Sequence, residues 1–303
     1  MTLARRKPPW LKVKAPLGET YSEVKKILGG LSLHTVCQEA NCPNRMECWS
    51  QKTATFLILG DVCTRGCSFC DVSRGKPGEV DRGEPGRVAE AVDRMELEYV
   101  VITSVTRDDL PDGGASIFAD TVRALKDIRQ SIGVEVLIPD FRGSKESLME
   151  VIESAPDVIN HNLETTRRLT PVIRRGADYD RSLELLRRVS EWGGNIRSKS
   201  GLMLGLGETI DELKRTFADL AEASCELLTI GQYLSPSERH HPVERFYTPE
   251  EFDGLRESAL TFGFSSVLAG PLIRSSYHAR EQTNGVTSRE TMQDRFLRDV
   301  PTS

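Results

Sequence analysis

The stretch Thr53-Ala-Thr-Phe-Leu-Ile-Leu-Gly60, followed closely by Cys63-Thr-Arg-Gly-Cys67-Ser-Phe-Cys70, decides the fold of this chain. Its first part is apolar and β-branched, which predicts a buried strand. The cysteines follow with C-x3-C-x2-C spacing, so we expect them on the loop that leaves the C-terminal end of that strand. Three thiolates on one short loop suit a [4Fe–4S] cluster, because each iron needs one protein ligand and the fourth iron stays open to a small molecule.

A second group of cysteines precedes this strand, in Cys37-Gln-Glu-Ala-Asn-Cys42-Pro-Asn-Arg-Met-Glu-Cys48. Pro43 and Asn44 favour a turn within this C-x4-C-x5-C run, which lets three sulfurs converge on one centre without a regular helix. The spacing predicts a second cluster. Because the cysteines concentrate in two loops and no signal peptide precedes them, we expect a reducing, cytoplasmic location.

The composition limits the class of protein. Hydrophobic residues make up 38% of the 303 residues, and no apolar run approaches the ~18 residues needed to span a membrane. The net charge of −5 argues against nucleic-acid binding, since phosphate neutralisation needs a basic face. We therefore expect one large soluble domain with extensions, and neither a membrane nor a nucleic acid as its partner.

Strand-like and helix-like segments alternate along most of the chain. The predicted strands are 53–60, 99–105, 134–139, 157–164, 196–206 and 227–234, and the predicted helices between them are 87–97, 114–131, 144–154, 180–192 and 209–223. Strands separated by helices form parallel βαβ units with right-handed crossovers. The sequence thus predicts an α/β fold, a partial (β/α)6 TIM-type barrel with N-terminal and C-terminal extensions.

We expect three parts in the chain. Residues 1–52 form an N-terminal extension that carries the first three cysteines, and residues 53–248 form the barrel. Residues 249–303 form a C-terminal extension, in which a helix over 249–261 and an apolar segment over 264–269 cap or extend the sheet. The first 16 residues are expected to form an arm, and residues 280–303 a surface helix or tail.

The cysteine motifs resemble those of a known enzyme superfamily. The run C-x3-C-x-aromatic-C, with Phe69 as the aromatic residue, is similar to the signature of the radical S-adenosylmethionine superfamily. Together with C-x-E-A-x-C-P-N-x-x-E-C-W upstream, it resembles the lipoyl synthase family. The resemblance implies two [4Fe–4S] clusters and S-adenosylmethionine. Cleavage of S-adenosylmethionine at the cluster held by Cys63, Cys67 and Cys70 gives a 5′-deoxyadenosyl radical. The resemblance also implies insertion of two sulfur atoms at C6 and C8 of a protein-bound octanoyl-lysine, with the auxiliary cluster as sulfur donor.

Polar residues at the C-terminal ends of the predicted strands are candidate cofactor contacts, because barrel chemistry collects there. The segment from Thr103 and Ser104 to Gly114 resembles the family segment that contacts the methionine part of the cofactor, and its alternative is a plain Gly-rich turn. Asn162 and Glu164 are two residues apart, so both face one side of a strand and could bond ribose hydroxyls.

The remaining candidates come from a weaker motif and from the histidines. The run from Gly201 to Glu208 matches a superfamily pattern beside the adenosine, which adds Gly205 and Glu208 to the candidates. His161 is expected to be structural. His240 and His241 are adjacent in sequence, so we expect them to anchor a loop or line a substrate channel rather than bind one metal.

Near the C-terminus, Arg274-Ser-Ser-Tyr-His-Ala279 matches a motif of the family. The resemblance implies that Ser276 supplies the fourth ligand of the cluster held by the first three cysteines, through its oxygen. It also implies that Arg274 stabilises the dismantling of that cluster. A hard alkoxide holds iron differently from a thiolate, which gives this ligand a physical reason. The alternative is an ordinary polar loop after a strand.

The implied partners are proteins. The substrates are octanoylated lipoyl carrier proteins, namely the glycine cleavage H protein or the E2 lipoyl domains of 2-oxoacid dehydrogenases. A ferredoxin- or flavodoxin-type donor supplies electrons, and a cluster-repair carrier rebuilds the consumed cluster. Three arginine pairs are candidates for binding an acidic carrier, with solvated helix faces as the alternative. These pairs are Arg167-Arg168, Arg174-Arg175 and Arg187-Arg188.

Three other interpretations compete with this one. A zinc loop would need four ligands, commonly in paired C-x2-C units, and only Cys67 and Cys70 have that spacing. Another radical enzyme, such as a methylthiotransferase or a biotin-synthase-like sulfur inserter, would share the second cysteine group but not the other two motifs. A non-catalytic metal scaffold would need no cofactor pocket.

Overall fold

The computed structural model describes residues 7–12, 19–39, 42, 44, 48 and 54–283. Most of the arm expected over residues 1–16 and of the tail expected over 280–303 therefore lies outside the described residues. Within the described part, no helix is both long and apolar enough to cross a membrane.

One large sheet organises the molecule. Its strands run in the order β1-β2-β5-β6-β7-β8-β9-β10, and β3 pairs with β4 in a separate two-stranded sheet. All neighbours from β2 to β10 are parallel, while β1 pairs antiparallel with β2. The strands are β1 His34–Thr35, β2 Thr55–Ile58, β3 Val62–Cys63, β4 Ser73–Arg74, β5 Tyr99–Ser104, β6 Gly133–Leu137, β7 Val158–Asn160, β8 Arg197–Leu204, β9 Leu227–Gln232 and β10 Ser266–Gly270.

Helices connect the parallel strands and cover the outside of the sheet. The helices of the described residues are Glu19–Gly30, Val36–Glu39, Glu84–Arg94, Ala115–Ile128, Lys145–Glu153, Thr170–Ile173, Tyr179–Trp192, Ile210–Glu222, Pro249–Leu260 and Ala279–Thr283, with 3-10 turns at Pro9–Leu11 and Phe141–Gly143. Two of them begin with capping boxes, in which Thr209 pairs with Glu212 and Thr248 pairs with Glu251. These reciprocal bonds satisfy amide groups that a helix start otherwise leaves unpaired.

The predicted α/β partial barrel is confirmed. The six predicted strands correspond to β2 and β5–β9, and they are parallel and adjacent in chain order. The segment predicted over 264–269 extends the sheet as β10, which pairs in parallel with β9. Both faces of this sheet are covered, since every residue of β2 and β9 is buried.

Two predicted elements have different bounds in the structure. The helix expected over 87–97 spans Glu84–Arg94 instead, because Pro85 is tolerated in a first turn and Glu96 has a positive φ of 54° that ends the helix. The strand expected over 157–164 contains only Val158–Asn160, and Glu164, with a φ of 65°, forms an isolated bridge to Leu202. The chain therefore turns sharply where a long strand was expected.

Candidate active site

A cavity of about 490 Å³ opens at the C-terminal ends of the parallel strands. Its wall includes Cys37 and Cys42 of the first cysteine group together with all three cysteines of the second group. The predicted residues Phe69, Thr103, Ser104, Asn162, Glu164, Arg274 and Ser276 also line it. The two cysteine groups and the C-terminal motif, which are distant in sequence, therefore face one space.

The loop Cys63–Cys70 is fixed from several sides by backbone hydrogen bonds. The amide of Thr64 donates to the Thr106 carbonyl at 3.0 Å, and the amide of Ser68 donates to the Ile173 carbonyl at 2.9 Å. The His241 amide donates in turn to the Ser68 carbonyl at 2.8 Å. Three loops at the top of the barrel therefore hold the cysteines in place before any metal binds.

Arg65, inside the cysteine motif, ties this loop to two neighbouring loops. Its Nε is 2.7 Å from Asp108 Oδ2, and its Nη2 is 2.6 Å from Asp140 Oδ1. Burial raises the pKa of Asp140, but its hydrogen bond to Arg65 and the Arg65 charge outweigh burial and hold it well below its usual range. The sequence analysis did not identify Arg65 or Asp140, although both occupy positions after a strand end.

Burial of the Cys67 and Cys70 thiols in the loop Cys63–Cys70 disfavours their ionised form unless a metal binds them. Burial raises the pKa of the Cys67 thiol to about 11 and that of the Cys70 thiol to about 12. A coordinating thiol gives up its proton because the metal charge stabilises the thiolate. The donor set is also soft, as iron–sulfur clusters require. Among the described residues, no three Cys, His, Asp or Glu side chains surround one point that could hold a single metal ion.

The first cysteine group is attached to the C-terminal motif. Cys37 lies buried in the helix Val36–Glu39, and Cys48 packs against the apolar cluster formed by Leu268, Ile273 and Tyr277. The Cys48 amide donates to the Asn44 carbonyl at 2.9 Å. The Asn44 side chain then donates to the Leu272 carbonyl at 2.7 Å. The turn predicted around Asn44 thus brings Cys48 to the loop that precedes Arg274.

The C-terminal motif is held by the end of β7. Asn162 Nδ2 donates to Ser275 Oγ and to Glu164 Oε1, each at 3.1 Å. Burial lowers the pKa of Arg274, and the nearby Cys42 and Glu164 oppose that shift. A cation therefore lies near Cys42 in the wall of the cavity, where negatively charged iron–sulfur groups would be stabilised.

Two buried oxygens in the cavity have no hydrogen-bond partner, which fits a polar ligand. Ser104 Oγ and Asn162 Oδ1 are both unsatisfied and both belong to cavity-lining residues. Unpaired buried polar atoms cost free energy, so a bound molecule with complementary groups is the simplest explanation. The Thr103 hydroxyl instead donates to the Leu137 carbonyl at 2.9 Å.

Arg174 corrects one expectation from the sequence. We expected the pair Arg174-Arg175 on the surface, but Arg174 is buried and lines the cavity. Burial lowers its pKa, and Glu164 and Cys67 oppose that shift. Burial also raises the pKa of Glu164, which Arg174 opposes. The cavity thus contains a buried cation and a buried carboxylate that could bind a zwitterionic ligand.

The other arginine pairs are engaged within the chain. Arg167 pairs with Asp180, and Arg168 pairs with Glu212. Arg187 and Arg188 both pair with Glu184. These contacts favour the alternative of solvated, paired helix faces over a dedicated carrier surface.

Two predicted cofactor contacts, Gly205 and Glu208, do not line the cavity. Both Glu208 carboxylate oxygens accept backbone amides, from Gly205 at 2.7 Å and from Leu206 at 2.9 Å. This bonding shapes the turn after β8. Their direct contact with a cofactor stays a prediction that their position does not favour.

The histidines have the structural roles predicted for them. Both ring nitrogens of His161 have protein partners, the Ile138 carbonyl at 2.9 Å and Ser182 Oγ at 3.0 Å. His240 Nε2 lies 3.2 Å from the Cys70 carbonyl oxygen, so this histidine anchors the cysteine loop. Among the ionisable side chains that line the cavity are five cysteines, Arg65, Arg174, Arg274, Asp71, Asp140 and Glu164.

Comparison with known proteins agrees with this arrangement. Residues 57–220 match the family model of the radical SAM superfamily, and residues 2–42 match that of the N-terminal domain of lipoyl synthase. SuiB of Streptococcus suis, in its structure bound to S-adenosylmethionine, has a TM-score of 0.54 at 11% identity, covering 72% of this chain and 50% of that one. Its structure bound to precursor peptide SuiA has a TM-score of 0.56, also at 11% identity, covering 75% and 52%. At this identity the likeness shows the fold alone.

Curated relatives define the family more narrowly. The lipoyl synthase of Caldicellulosiruptor bescii is 56% identical over 274 residues, which cover 90% of this chain and 94% of the relative. The lipoyl synthase of Mycobacterium avium is 54% identical over 278 residues, covering 92% and 90%.

The fold and the three-cysteine loop define a radical S-adenosylmethionine enzyme. Its cofactors are [4Fe–4S] clusters and S-adenosylmethionine. Within that superfamily, the chain belongs to the lipoyl synthase family. The resemblance inferred from the cysteine motifs is confirmed, and the family's sulfurtransferase function is the function of this chain.

Proposed function

We propose that two [4Fe–4S] clusters occupy the two ends of the cavity and that an octanoyl chain lies between them. Cys63, Cys67 and Cys70 hold the cluster that binds S-adenosylmethionine. The observation that carries this assignment is the shared cavity, which both cysteine groups line. One acyl chain could then reach both centres during the insertion of sulfur at C6 and C8.

The ligands of the auxiliary cluster are Cys37, Cys42, Cys48 and Ser276. The support is spatial, since Asn44 joins the first cysteine group to the C-terminal loop and Cys48 packs beside Tyr277. Arg274 lies in the same wall and carries a charge opposite to that of the thiolates. Arg274 would stabilise the negative charge of the thiolate ligands, Cys42 in particular.

S-adenosylmethionine binds along the strand ends, beside Phe69 and Thr103. The unsatisfied oxygens of Ser104 and Asn162 accept or share hydrogen bonds with it. Buried Arg174 is the natural partner for its carboxylate, and Glu164 for its amino group or ribose hydroxyls. Arg174 is not among the cofactor contacts predicted from the sequence, because a pair of arginines in a polar stretch is typical of a surface.

The bound groups supply a 5′-deoxyadenosyl radical and sulfur, and the chain supplies position and protection. Asn162 connects the cofactor wall to Ser275 of the C-terminal motif, so the two halves of the cavity keep a fixed spacing. Asp108 and Asp140 bind Arg65 and so hold the loop Cys63–Cys70 in place. The enclosed wall keeps water from a reactive radical.

The partners and location follow from this chemistry. The substrates are octanoylated lipoyl carriers, either the glycine cleavage H protein or E2 lipoyl domains. A ferredoxin- or flavodoxin-type protein donates electrons, a repair carrier rebuilds the auxiliary cluster, and the cytoplasm is the compartment. The proposed division has three parts: residues 1–52 carry the first three cysteines, residues 53–248 form the barrel with the other cluster loop, and residues 249–303 carry Ser276.

The test is anaerobic reconstitution followed by mass spectrometry of an octanoylated lysine peptide with S-adenosylmethionine and a chemical reductant. The expected product has gained two sulfur atoms. The matched control is Cys225→Ala, because Cys225 is buried away from the cavity and bonds only the Leu227 carbonyl. A reconstituted enzyme that cleaves S-adenosylmethionine but never adds sulfur would contradict the proposal.

A further inference from the structure

A buried polar network lies in the barrel interior. Glu135 of β6 and Lys199 of β8 form an ion pair with Nζ 3.0 Å from Oε1, and neither side chain has any solvent exposure. Asn160 of β7 donates to Glu135 Oε1 at 3.1 Å. The Tyr99 hydroxyl of β5 donates to Glu135 Oε2 at 3.1 Å. One carboxylate therefore connects four neighbouring strands.

This network lies directly beneath the cavity. Side chains two residues apart on a strand face the same side. Leu137 follows Glu135 by two residues and Gly201 follows Lys199 by two, and both line the cavity. The network is thus the next layer of interior side chains, on the side away from the cysteines.

The C-terminal segment reaches the network from the cavity. Arg274 and Ser276 line the cavity, whereas Thr283 Oγ1 lies 2.9 Å from the Tyr99 hydroxyl at the start of β5. At the start of β8, Arg197 donates Nη1 to the Thr283 carbonyl at 2.9 Å. The helix Ala279–Thr283 therefore closes the end of the barrel opposite the cysteines.

We propose that Tyr99, Glu135 and Lys199 anchor the segment 274–283 from below and thereby position Ser276 as a cluster ligand. They are positioning residues, since none of them contacts the cavity ligands. Ordering the segment 274–283 costs conformational entropy. If the segment is already anchored before the cluster binds, cluster binding does not bear that cost. The statement about Ser276 rests on the proposed function, but the anchoring itself does not.

The test uses the single change Tyr99→Phe. It removes one hydroxyl and leaves the Glu135–Lys199 ion pair intact, whereas breaking a buried pair risks unfolding the chain. The matched control is Tyr179→Phe, because the Tyr179 hydroxyl is bonded to Thr216 and Asp219, away from the segment. Both changes remove a buried phenol oxygen.

The first readout is hydrogen exchange in the metal-free protein. The amides of Tyr277 and Gln282 donate to the carbonyls of Arg274 and His278, so they report on the segment. We expect exchange about tenfold faster in Tyr99→Phe than in Tyr179→Phe at these two amides. Equal protection in the two variants would overturn the proposal.

The second readout is release of auxiliary-cluster iron to a chelator, measured in a background that carries Cys63→Ala, Cys67→Ala and Cys70→Ala. Tyr99→Phe is expected to accelerate release several-fold over Tyr179→Phe. Faster release in Ser276→Ala with no effect of Tyr99→Phe would overturn the positioning of Ser276 by these residues and leave Ser276 as a ligand. If Ser276→Ala leaves the rate unchanged, the ligand assignment in the proposed function fails, and hydrogen exchange still decides the anchor.

Discussion

The Asn44 side chain donates a 2.7 Å hydrogen bond to the Leu272 carbonyl and so joins the first cysteine group to the loop before Arg274. Asn44 is 2% exposed, so water does not substitute for this bond. The proposed ligands of the auxiliary cluster thus come from opposite ends of the chain, and the Asn44 amide joins the two segments that carry them. This relationship yields the first prediction.

Asn44→Ala should impair the auxiliary cluster and spare the other cluster. The change leaves the Leu272 carbonyl buried without a partner, at a cost of about 1–3 kcal/mol. We expect iron content to fall by about half and cleavage of S-adenosylmethionine to persist. Iron analysis together with an assay for 5′-deoxyadenosine checks this. Loss of iron and of 5′-deoxyadenosine formation to the same extent would show that Asn44 has no selective role.

Replacement of single cysteines should separate two activities. Cys37→Ala should abolish sulfur insertion and retain 5′-deoxyadenosine formation, because Cys37 belongs to the auxiliary ligand set. Cys67→Ala should abolish both, because the radical originates at its cluster. If Cys37→Ala also stops 5′-deoxyadenosine formation, the two cysteine groups do not have separate roles.

Gly201→Ala should weaken S-adenosylmethionine binding. A Cβ at Gly201 would lie 2.7 Å from Asn162 Oδ1 and 2.8 Å from Thr229 Oγ1, so the cavity wall must shift. We expect the Kd for S-adenosylmethionine to rise roughly tenfold or more. A displaced Asn162 would lose its hydrogen bond to the bound cofactor. The matched control is Gly254→Ala, where nothing lies within 4 Å and the helix gains stability. Equal affinity in the two variants, measured by equilibrium dialysis, would contradict the assignment of this wall.

Arg65 should contribute strongly to the stability of the cysteine loop. Its side chain is 8% exposed and that of Asp140 is 0% exposed, so Arg65→Met removes one cation from a buried carboxylate and leaves Arg181 as the other, at 2.8 Å. Removing the sole partner of a buried charge costs about 3–5 kcal/mol, and we expect a smaller loss here because Arg181 remains. Urea unfolding of the metal-free protein should show this loss, and adding Asp140→Asn should recover part of it. If the loss of unfolding free energy in the double variant equals the sum of the losses in the two single variants, Arg65 and Asp140 are not directly coupled.

His161 should make the protein less stable in mild acid. Burial, with help from the charge of Arg174, lowers its pKa from the ordinary value near 6.5 to about 4. Between these values the unfolded chain binds a proton that the folded chain does not, so stability falls as the pH decreases from about 6.5 to about 4. The contribution is about 1–3 kcal/mol. His161→Gln should flatten this part of the stability curve, whereas His34→Gln, at a half-exposed ring, should not.

The local patterns in the sequence predict most of the architecture. The apolar strand before Cys63 and the alternation after it give the parallel sheet, because burial on both faces requires such segments. The spacing of the six cysteines gives the two ligand groups. Ser276 depended on resemblance to the family, since a serine in a polar loop carries no metal-binding signal of its own.

The features that sequence reasoning missed depend on long-range packing. Arg174 and Arg175 look alike in sequence, but only Arg174 is buried, because its guanidinium reaches the Leu163 carbonyl under the cavity. The burial of Arg174 therefore does not follow from its neighbours in the chain. Contact of Glu208 with the cofactor stays a prediction, and its carboxylate accepts the amide of Gly205 at 2.7 Å.

The most direct test of the two-cluster cavity is a single turnover with protein reconstituted with ³⁴S-sulfide and transferred to medium that contains only unlabelled sulfur. Mass spectrometry of the peptide product should show that both inserted atoms are ³⁴S, because the sulfur comes from a cluster held by the chain. A lipoyl product that contains only unlabelled sulfur would contradict the account.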